Sequence, residues 1–225
     1  MSAVNENDWK ADDNEDIHHS LELNYGLAIK FPKIVNGKIH TTNFLAASQA
    51  VVQVLDKFGK VFAPIKYDMQ MNIEKILTKY IANKKEHLTL QDLLLSERAS
   101  GKKTVVVDAL IWLTRGLKMI HLFVDRVIEN ARAIPPKTGT EAEDLVVNIK
   151  NSYKESLEPY HGWMAQQLFG LLAKMAPTKS QLLLSLANNL PNQEAVTLNA
   201  LENLSRGLKD NLIALNYFFR ENRFA

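Results

Sequence analysis

One pattern dominates this sequence: apolar residues recur every three or four positions from Thr41 almost to the C-terminus. That spacing is the period of an amphipathic helix, and no segment shows the strict alternation typical of a half-buried strand. Nine glycines and seven prolines are few for 225 residues, which favours long helices over frequent turns. The pattern therefore predicts an all-α protein, a single domain of about eight helices in packed layers.

Local signals at the helix ends predict where the helices lie. Gly59 closes the first helix, and Pro64 fits the first turn of the second, where a missing N–H does no harm. Thr89 and Asp92 resemble the cap of a short third helix. The later predictions are Thr104–Ala133 as the longest helix, ended by Pro135-Pro136, a helix from Thr140 with Glu143 in a capping box, a break at Pro159, and the helices Lys179–Asn189 and Gln193–Glu221.

The N-terminal segment differs from the rest in charge. Met1–Asn24 carries seven acidic residues against one lysine, a net charge of −6, so the remaining chain carries +8. A segment this polar cannot bury a core, and we expect a disordered tail over residues 1–24 and one domain over residues 25–225. The positive excess gives a modest attraction to anionic surfaces, although an ordinary solvated surface explains most of these lysines equally well. His18-His19 has no third ligand nearby, so it does not predict a metal site.

Several classes of protein lack their usual signals here. The chain has no cysteine, which excludes disulfides, thiolate chemistry and zinc–sulfur sites. The acidic start is unlike a secretory signal, and no uncharged stretch reaches the roughly 20 apolar residues of a membrane span. Motifs for serine hydrolysis, metalloprotease chemistry and phosphate binding are absent. We therefore expect no enzymatic activity, no cofactor and no bound metal.

The most informative feature is a polar stripe on an otherwise apolar helix. Asp68, Asn72 and Lys75 are spaced i, i+4, i+7, so they stack along one side over two turns. They lie beside the core stripe of this helix and not opposite it. A carboxylate, an amide and an ammonium together offer acceptors and donors, which suits a ligand rich in hydroxyl groups. A solvated helix face is the alternative interpretation, and the spacing alone favours it.

Two other residues stand out for their surroundings. Trp112 lies in the middle of the long helix, where it is either a core residue or a flat surface for stacking a sugar ring. His161 enters a helix among aromatic residues in Tyr160-His161-Gly162-Trp163. A lone histidine of this kind is more often a satisfied core residue than a ligand contact, so its role stays open at the level of pattern.

Taken together, these features resemble the glycolipid transfer protein family, in its glycosphingolipid-binding branch. The resemblance is carried by four segments in order, and it covers the chain from about Thr41 to Leu215. They are NFLAASQAVVQVLDKFG, VFAPIKYDMQMNIEKI with the Asp-x3-Asn-x2-Lys pattern, LIWLTRGLKMIHLF with the tryptophan, and YHGWMAQQLF with the histidine. The family fold is a two-layer helical sandwich whose interior opens to receive lipid chains, and we expect that fold here.

The resemblance also implies roles for individual residues. Asp68, Asn72 and Lys75 would hydrogen-bond sugar hydroxyls, and Asp68 would also accept from the ceramide amide N–H. Trp112 would be the platform under the first sugar, and His161 would donate to the ceramide carbonyl oxygen. The apolar tunnel would be lined by Phe44, Val54, Leu55, Phe62 and Phe169. The membrane-docking face would hold Tyr153, Trp163 and Met164.

The implied function is a carrier that binds one glycosphingolipid, such as a glucosyl-, galactosyl- or lactosylceramide, and moves it between membranes. We expect a cytoplasmic protein that contacts membranes transiently, does not bind nucleic acid, and offers its acidic tail to a protein partner. Two alternatives remain: a ceramide-1-phosphate carrier, and a glycolipid sensor or interaction module without net transport. The first is disfavoured because that related branch has basic residues where this chain has Asn72 and Trp112.

Three positions depart from the family pattern. Met71 stands where a glycine is expected, and it is bulky enough to reshape the wall beside the headgroup. Asp108 replaces a common apolar residue one turn before Trp112, where it contacts either the headgroup or a local cation. The C-terminal tyrosine of the family has no clear counterpart in ENRFA, in which Phe224 is the one aromatic residue.

Overall fold

The computed structural model describes residues 27–101, 104–134 and 139–224, and within those ranges it is helical without any β-strand. Eight helices have eight residues or more in this described part, and a ninth has a single turn, which confirms the predicted fold class. The helices are α1 Thr41–Val54, α2 Ala63–Ala82, α3 Leu90–Ala99, α4 Val105–Ala131, α5 Thr140–Glu143, α6 Val146–Ser156, α7 Trp163–Ala173, α8 Lys179–Leu186 and α9 Glu194–Glu221.

Most of the predicted helix ends match the local chemistry. The Thr89 side chain accepts a hydrogen bond from the Asp92 backbone N–H, as expected of a cap. Pro64 lies in the first turn of α2, after a connection in which Gly59 adopts a φ of 96°. The predicted break at Pro159 is a 3-10 turn, Glu158–Tyr160, between α6 and α7.

Two predictions about the later helices are wrong in detail. The longest described helix is α9, with 28 residues, and α4 has 27. The capping box expected of Glu143 stays a prediction, and its carboxylate accepts from the Ser180 backbone N–H at 2.8 Å, near the start of α8. Helix α8 ends at Leu186 because Asn188 and Asn189 follow with positive φ.

Helix α4 is the centre of the fold. Sixteen of its residues are buried, and it packs against α2, α9 and α6. Its N-terminus is held by Glu97, whose buried carboxylate accepts backbone N–H groups from Val106 and Val107 at 2.9 Å each. Those N–H groups have no partner within the helix, so a carboxylate there satisfies both and suits the helix dipole. The contact fixes where α4 begins relative to α3.

Helices α2 and α4 approach each other closely at Gly116. A Cβ atom at this position would lie 3.0 Å from Cγ of Met69, which is fully buried on α2. Only a residue without a side chain permits this spacing without moving its neighbour. The contact brings the helix that carries Asp68 next to the helix that carries Trp112.

Some sequence predictions fall outside the described residues. They are the tail over residues 1–24 with His18-His19, and Pro135-Pro136. The disorder of the tail and the domain boundary at residue 25 therefore stay predictions. Within the described ranges, no helix combines the length and the apolar composition that a membrane crossing needs.

Candidate functional site

The polar stripe of α2 forms a connected chain of side chains. The Asn72 amide donates from Nδ2 to Oδ2 of Asp68 at 3.0 Å, and its Oδ1 accepts from Nζ of Lys75 at 3.5 Å. Asn72 is only 3% exposed, whereas Asp68 and Lys75 reach the surface. The buried amide therefore orients the carboxylate on one side and the ammonium on the other, and leaves both charged groups accessible to a ligand.

The connection between α6 and α7 brings His161 to this stripe. The Gln166 side chain donates from Nε2 to the carbonyl oxygens of His161 and Glu158, at 2.8 and 3.1 Å, and so fixes the turn. Asp68 and His161 interact electrostatically and both line one cavity. A carboxylate acceptor on α2 and an imidazole on the α6–α7 connection thus face the same space.

Trp112 joins the site from α4. Its indole stacks on the His161 ring with centroids 5.7 Å apart and planes at 20°, and Tyr160 meets it edge-on at 6.3 Å. The Arg115 guanidinium lies over Tyr160 at 3.4 Å and over Trp112 at 4.8 Å. Sequence reasoning missed Arg115 and Tyr160 as neighbours of the indole. The i, i+3 spacing of Trp112 and Arg115 puts both on one helix face and was the available signal.

Burial shifts the pKa values of Asp68 and His161 in opposite directions. Desolvation raises the pKa of Asp68 above its ordinary value of 3.8, although Lys75, His161 and the Asn72 hydrogen bond all oppose the shift. Desolvation lowers the pKa of His161 below 6.5, and Asp68 opposes that change. Near neutral pH, the site therefore presents an ionised carboxylate and a neutral imidazole.

An apolar cavity of about 240 Å³ opens at this point. Its polar lining residues are Asp68, His161 and Tyr153, and the Tyr153 hydroxyl lies next to His161. The remaining lining residues come from α2, α4, α6 and α7 and their connections: Pro64, Ile65, Gly116, Leu157, Ala165, Leu168, Phe169 and Leu172. A mainly apolar lining with a few polar groups is suited to a ligand with a hydrogen-bonding head and a hydrocarbon tail.

A family model described as "Glycolipid transfer protein" matches residues 39–188, which is more than half of the chain. The chain belongs to the glycolipid transfer protein family. Pleckstrin homology domain-containing family A member 8 of Homo sapiens is 40% identical over 144 residues, covering 62% of this chain and 26% of that protein. The aligned region is thus about a quarter of that curated relative. A Glycolipid transfer protein of Aureobasidium melanogenum is 30% identical over 181 residues, 79% of this chain and 85% of its own.

Solved structures show the same fold. One, described as showing how FAPP2 selects simple glycosphingolipids using the GLTP-fold, has a TM-score of 0.74 and 28% identity, and covers 89% of this chain and 93% of its own. Human ceramide-1-phosphate transfer protein in complex with 12:0 ceramide-1-phosphate has a TM-score of 0.70 at 14% identity, covering 90% and 96%. The family and fold are those of lipid transfer proteins.

The structure of this family member brings all five headgroup candidates together. Asp68, Asn72 and Lys75 share one face of α2, and Trp112 and His161 stack beside the same cavity mouth. Their roles in binding a lipid stay predictions. In the described part of the chain, no group of three or more histidine, aspartate or glutamate side chains is arranged to hold a metal ion.

The five predicted tunnel residues are all buried, but they differ in position. Phe169 borders the cavity, where it stacks on Tyr153 with centroids 3.8 Å apart. The others belong to the packed interior and are not among the cavity-lining residues: Phe44, Val54, Leu55 and Phe62. A tunnel along those four residues therefore stays a prediction, because it requires the interior to open.

The docking prediction is partly wrong. Trp163 and Met164 are 72% and 77% exposed at the start of α7, in agreement with a surface role. Tyr153 is only 3% exposed, and its hydroxyl hydrogen-bonds the Nδ1 atom of His161 at 2.8 Å. It cannot contact a membrane from this position. Ile149, Tyr153 and Leu157 are spaced i, i+4, i+8, and that apolar stripe was the signal that α6 turns this tyrosine inward.

The three departures from the family pattern lie at different distances from the mouth. Met71 is partly exposed and borders the polar stripe on α2. Asp108 accepts a hydrogen bond from the Thr104 hydroxyl at 3.3 Å in the first turn of α4, so its described contact is local. Phe224 packs against Phe218 and under the Arg98 guanidinium, which fastens the C-terminal segment to α3.

Proposed function

We propose that this chain binds one glycosphingolipid and carries it between membranes without changing it chemically. The proposal depends on one observation: Asp68 of the polar stripe and His161, which stacks on Trp112, line the same apolar cavity. The fold resembles the structure described as showing how FAPP2 selects simple glycosphingolipids. This likeness also supports a glycosphingolipid as the ligand. Each part of the lipid has a chemically matched part of the site.

The sugar is bound by mixed donors and acceptors. Asp68 accepts hydroxyl protons, Lys75 donates to hydroxyl oxygens, and the indole of Trp112 offers a flat apolar face to the ring. Hydrogen bonds to a charged partner contribute about 1.5–3 kcal/mol each, so a few of them discriminate strongly between headgroups. A phosphate headgroup fits less well, because its negative charge would lie beside the ionised Asp68 carboxylate.

The ceramide amide is recognised at both of its ends. Its N–H needs an acceptor and its C=O needs a donor, and Asp68 and His161 supply one of each across the cavity mouth. Both side chains line the same cavity, which places them on the same side of the site. This pair therefore recognises the link between headgroup and chains, whatever the sugar is.

The hydrocarbon chains require an apolar interior. Each buried methylene is worth about 0.8 kcal/mol, so two chains with about 30 methylenes are held in a bilayer by more than 20 kcal/mol. A cavity of about 240 Å³ is small for such a ligand. Helix α7 is the element placed to move aside, because only Phe169 and Ala173 of its eleven residues are buried.

The exposed start of α7 is suited to membrane contact. Trp163, Met164, Leu168 and Leu171 present apolar side chains to solvent beside the cavity mouth. Indole rings are stable at a membrane interface, where one edge is apolar and the other is hydrated. We propose a cytoplasmic protein that docks transiently through this surface, with the acidic tail available to a protein partner.

A transfer assay between vesicles tests the proposal. Purified protein should move fluorescent galactosyl- or glucosylceramide from donor to acceptor vesicles, and Trp112→Ala should nearly abolish that movement while the helical circular dichroism persists. The exposed Tyr217→Ala variant is the matched aromatic control, and it should transfer normally. Equal or faster movement of ceramide 1-phosphate would overturn the headgroup assignment, and stable binding without net movement would favour a sensor.

A further inference from the structure

Tyr153 makes a contact that the headgroup assignments leave unused. Its hydroxyl lies 2.8 Å from Nδ1 of His161, across the turn that joins α6 to α7. Its ring stacks face to face on Phe169 at an interplanar angle of 12°, and His161 stacks on Trp112 on α4. The hydrogen bond therefore joins two rings whose orientations are each fixed by a separate stacking contact.

The direction of this hydrogen bond follows from the two titrations. Burial and the nearby Glu158 charge raise the pKa of Tyr153 to about 12, so the phenol keeps its proton throughout the physiological range. Burial holds the pKa of His161 below 6.5, so the imidazole is neutral and one of its nitrogens is an acceptor. No other described residue offers the Tyr153 hydroxyl a hydrogen-bond acceptor. Because a buried phenol O–H needs an acceptor, this arrangement favours donation from the phenol to Nδ1.

We propose that Tyr153 is the positioning residue of this site: it holds His161 in the tautomer that carries its proton on Nε2. That nitrogen makes no hydrogen bond within the described residues, and His161 lines the cavity, so its N–H is left for a ligand. The alternative tautomer would present an acceptor there, which repels a carbonyl oxygen. Its use in binding an amide carbonyl rests on the proposed function, whereas the tautomer itself does not.

Nuclear magnetic resonance of the lipid-free protein tests the tautomer directly. In ¹⁵N-histidine-labelled protein near pH 8, long-range proton–nitrogen spectra should show Nδ1 of His161 unprotonated and Nε2 protonated, with the signal assigned by its loss in His161→Gln. Tyr153→Phe should relax His161 towards the tautomer mixture of free histidine and leave His121 unchanged. A proton on Nδ1 in the native protein, or an unaltered His161 in the variant, would overturn the proposal.

Vesicle transfer tests what the tautomer does. Tyr153→Phe keeps the ring stacked on Phe169 and removes one hydroxyl, so glycolipid transfer should fall about fivefold, the effect of one ordinary hydrogen bond. In a His161→Ala background the same change should have no further effect, because the partner is gone. Tyr217→Phe, an exposed tyrosine on α9, is the control and should transfer normally.

The two experiments separate the possible failures. If no glycolipid is moved by the native protein, the proposed function fails, and the spectra still decide the tautomer. If the tautomer is as expected but Tyr153→Phe transfers at the native rate, the positioning role is overturned while the proposed function stands. A fivefold loss that persists in the His161→Ala background would also overturn it, since the hydroxyl would then act through another residue.

Discussion

Two histidines in this molecule each have a hydroxyl group and a carboxylate as neighbours, but they lie in different surroundings. His121 lies between α4 and α9, with Nδ1 2.7 Å from the Ser205 hydroxyl and Nε2 3.5 Å from Oδ2 of Asp125. His161 has a hydroxyl on Nδ1 and a carboxylate nearby as well. Burial lowers the pKa of both imidazoles, and the neighbouring carboxylate opposes the shift in both.

The difference between them lies in what is left unsatisfied. At the α4–α9 contact Ser205 also donates to Asp125, so serine, histidine and aspartate close on one another, and His121 is 8% exposed. At the cavity the Nε2 atom of His161 has no hydrogen-bond partner among the described residues, and Asp68 reaches the surface. The same three kinds of group therefore stabilise a helix contact in one place and form the candidate binding site in the other.

The largest expected effect comes from replacing the carboxylate beside each histidine with an amide. Asp68→Asn removes a charged acceptor, so glycolipid transfer should fall about 10- to 100-fold. Because burial raises the pKa of Asp68, folding already disfavours its ionised form at neutral pH. The free energy of unfolding at pH 7, measured with urea, should therefore stay equal or rise.

Asp125→Asn is the matched control for that exchange. It should leave transfer within about twofold of the native rate and lower the free energy of unfolding by about 1–2 kcal/mol, because it weakens a network of buried hydrogen bonds. A loss of transfer in Asp125→Asn without a loss of stability would mean that the α4–α9 contact belongs to the binding mechanism.

A smaller effect is expected from removing the two imidazoles. His161→Ala should reduce transfer about tenfold, since one hydrogen bond to the lipid amide is lost, and should lower the free energy of unfolding by about 1 kcal/mol, because the buried Tyr153 hydroxyl loses its partner. His121→Ala should leave transfer near the native rate and lower the free energy of unfolding by about 1–3 kcal/mol, because Ser205 and Asp125 lose a buried partner. An equal loss of transfer in both variants would remove the distinction drawn between the two sites.

The smallest effect is on pH dependence. Transfer should be flat near neutral pH and fall as Asp68 is protonated, at a pH above the ordinary carboxyl value of 3.8 because its pKa is raised. The residual transfer of Asp68→Asn should lack this acid limb. Rates of both proteins at matched vesicle composition, from pH 7 down to the onset of unfolding, would check it, and an unchanged limb in the variant would assign it to another group.

Stability should also decline at acidic pH, in this case through the histidines. Their folded pKa values are below 6.5, so the unfolded chain takes up the protons first, and the free energy of unfolding declines as the pH falls below 6.5. His121→Gln should make this decline shallower. Urea unfolding at several values between pH 7.5 and 5 measures the slope, and an equal slope in both proteins would contradict the assignment.

The sequence predicted the features that repeat along a helix. The apolar pattern of α4, the cap at Thr89 and the one-sided stripe of Asp68, Asn72 and Lys75 all depend on residues within a few turns of one another. Contacts across the α6–α7 connection depend on how the chain returns, which no local period encodes. Tyr153 was therefore assigned to the membrane face, although it faces His161.

The same limit explains the other errors and omissions. Glu143 accepts a hydrogen bond from the Ser180 backbone N–H of α8, a contact that the pattern of its own helix did not predict. The stacking of Arg115 on Tyr160 also joins two segments, α4 and the α6–α7 connection, that have α5 and α6 between them in the chain. Local chemistry correctly named the residues able to form such contacts, and tertiary packing decided which partners they have.

The absent side chain at Gly116 has a consequence for how headgroup preference changes among related carriers. Without a side chain at Gly116, Met69 packs directly against α4. This contact sets the distance between the Asp68 carboxylate on α2 and the Trp112 indole on α4. The spacing of these two residues, which we propose bind the headgroup, is thus determined at a contact beneath them. A methyl group added at this buried contact would press on Met69 and alter that spacing, with both headgroup candidates unchanged.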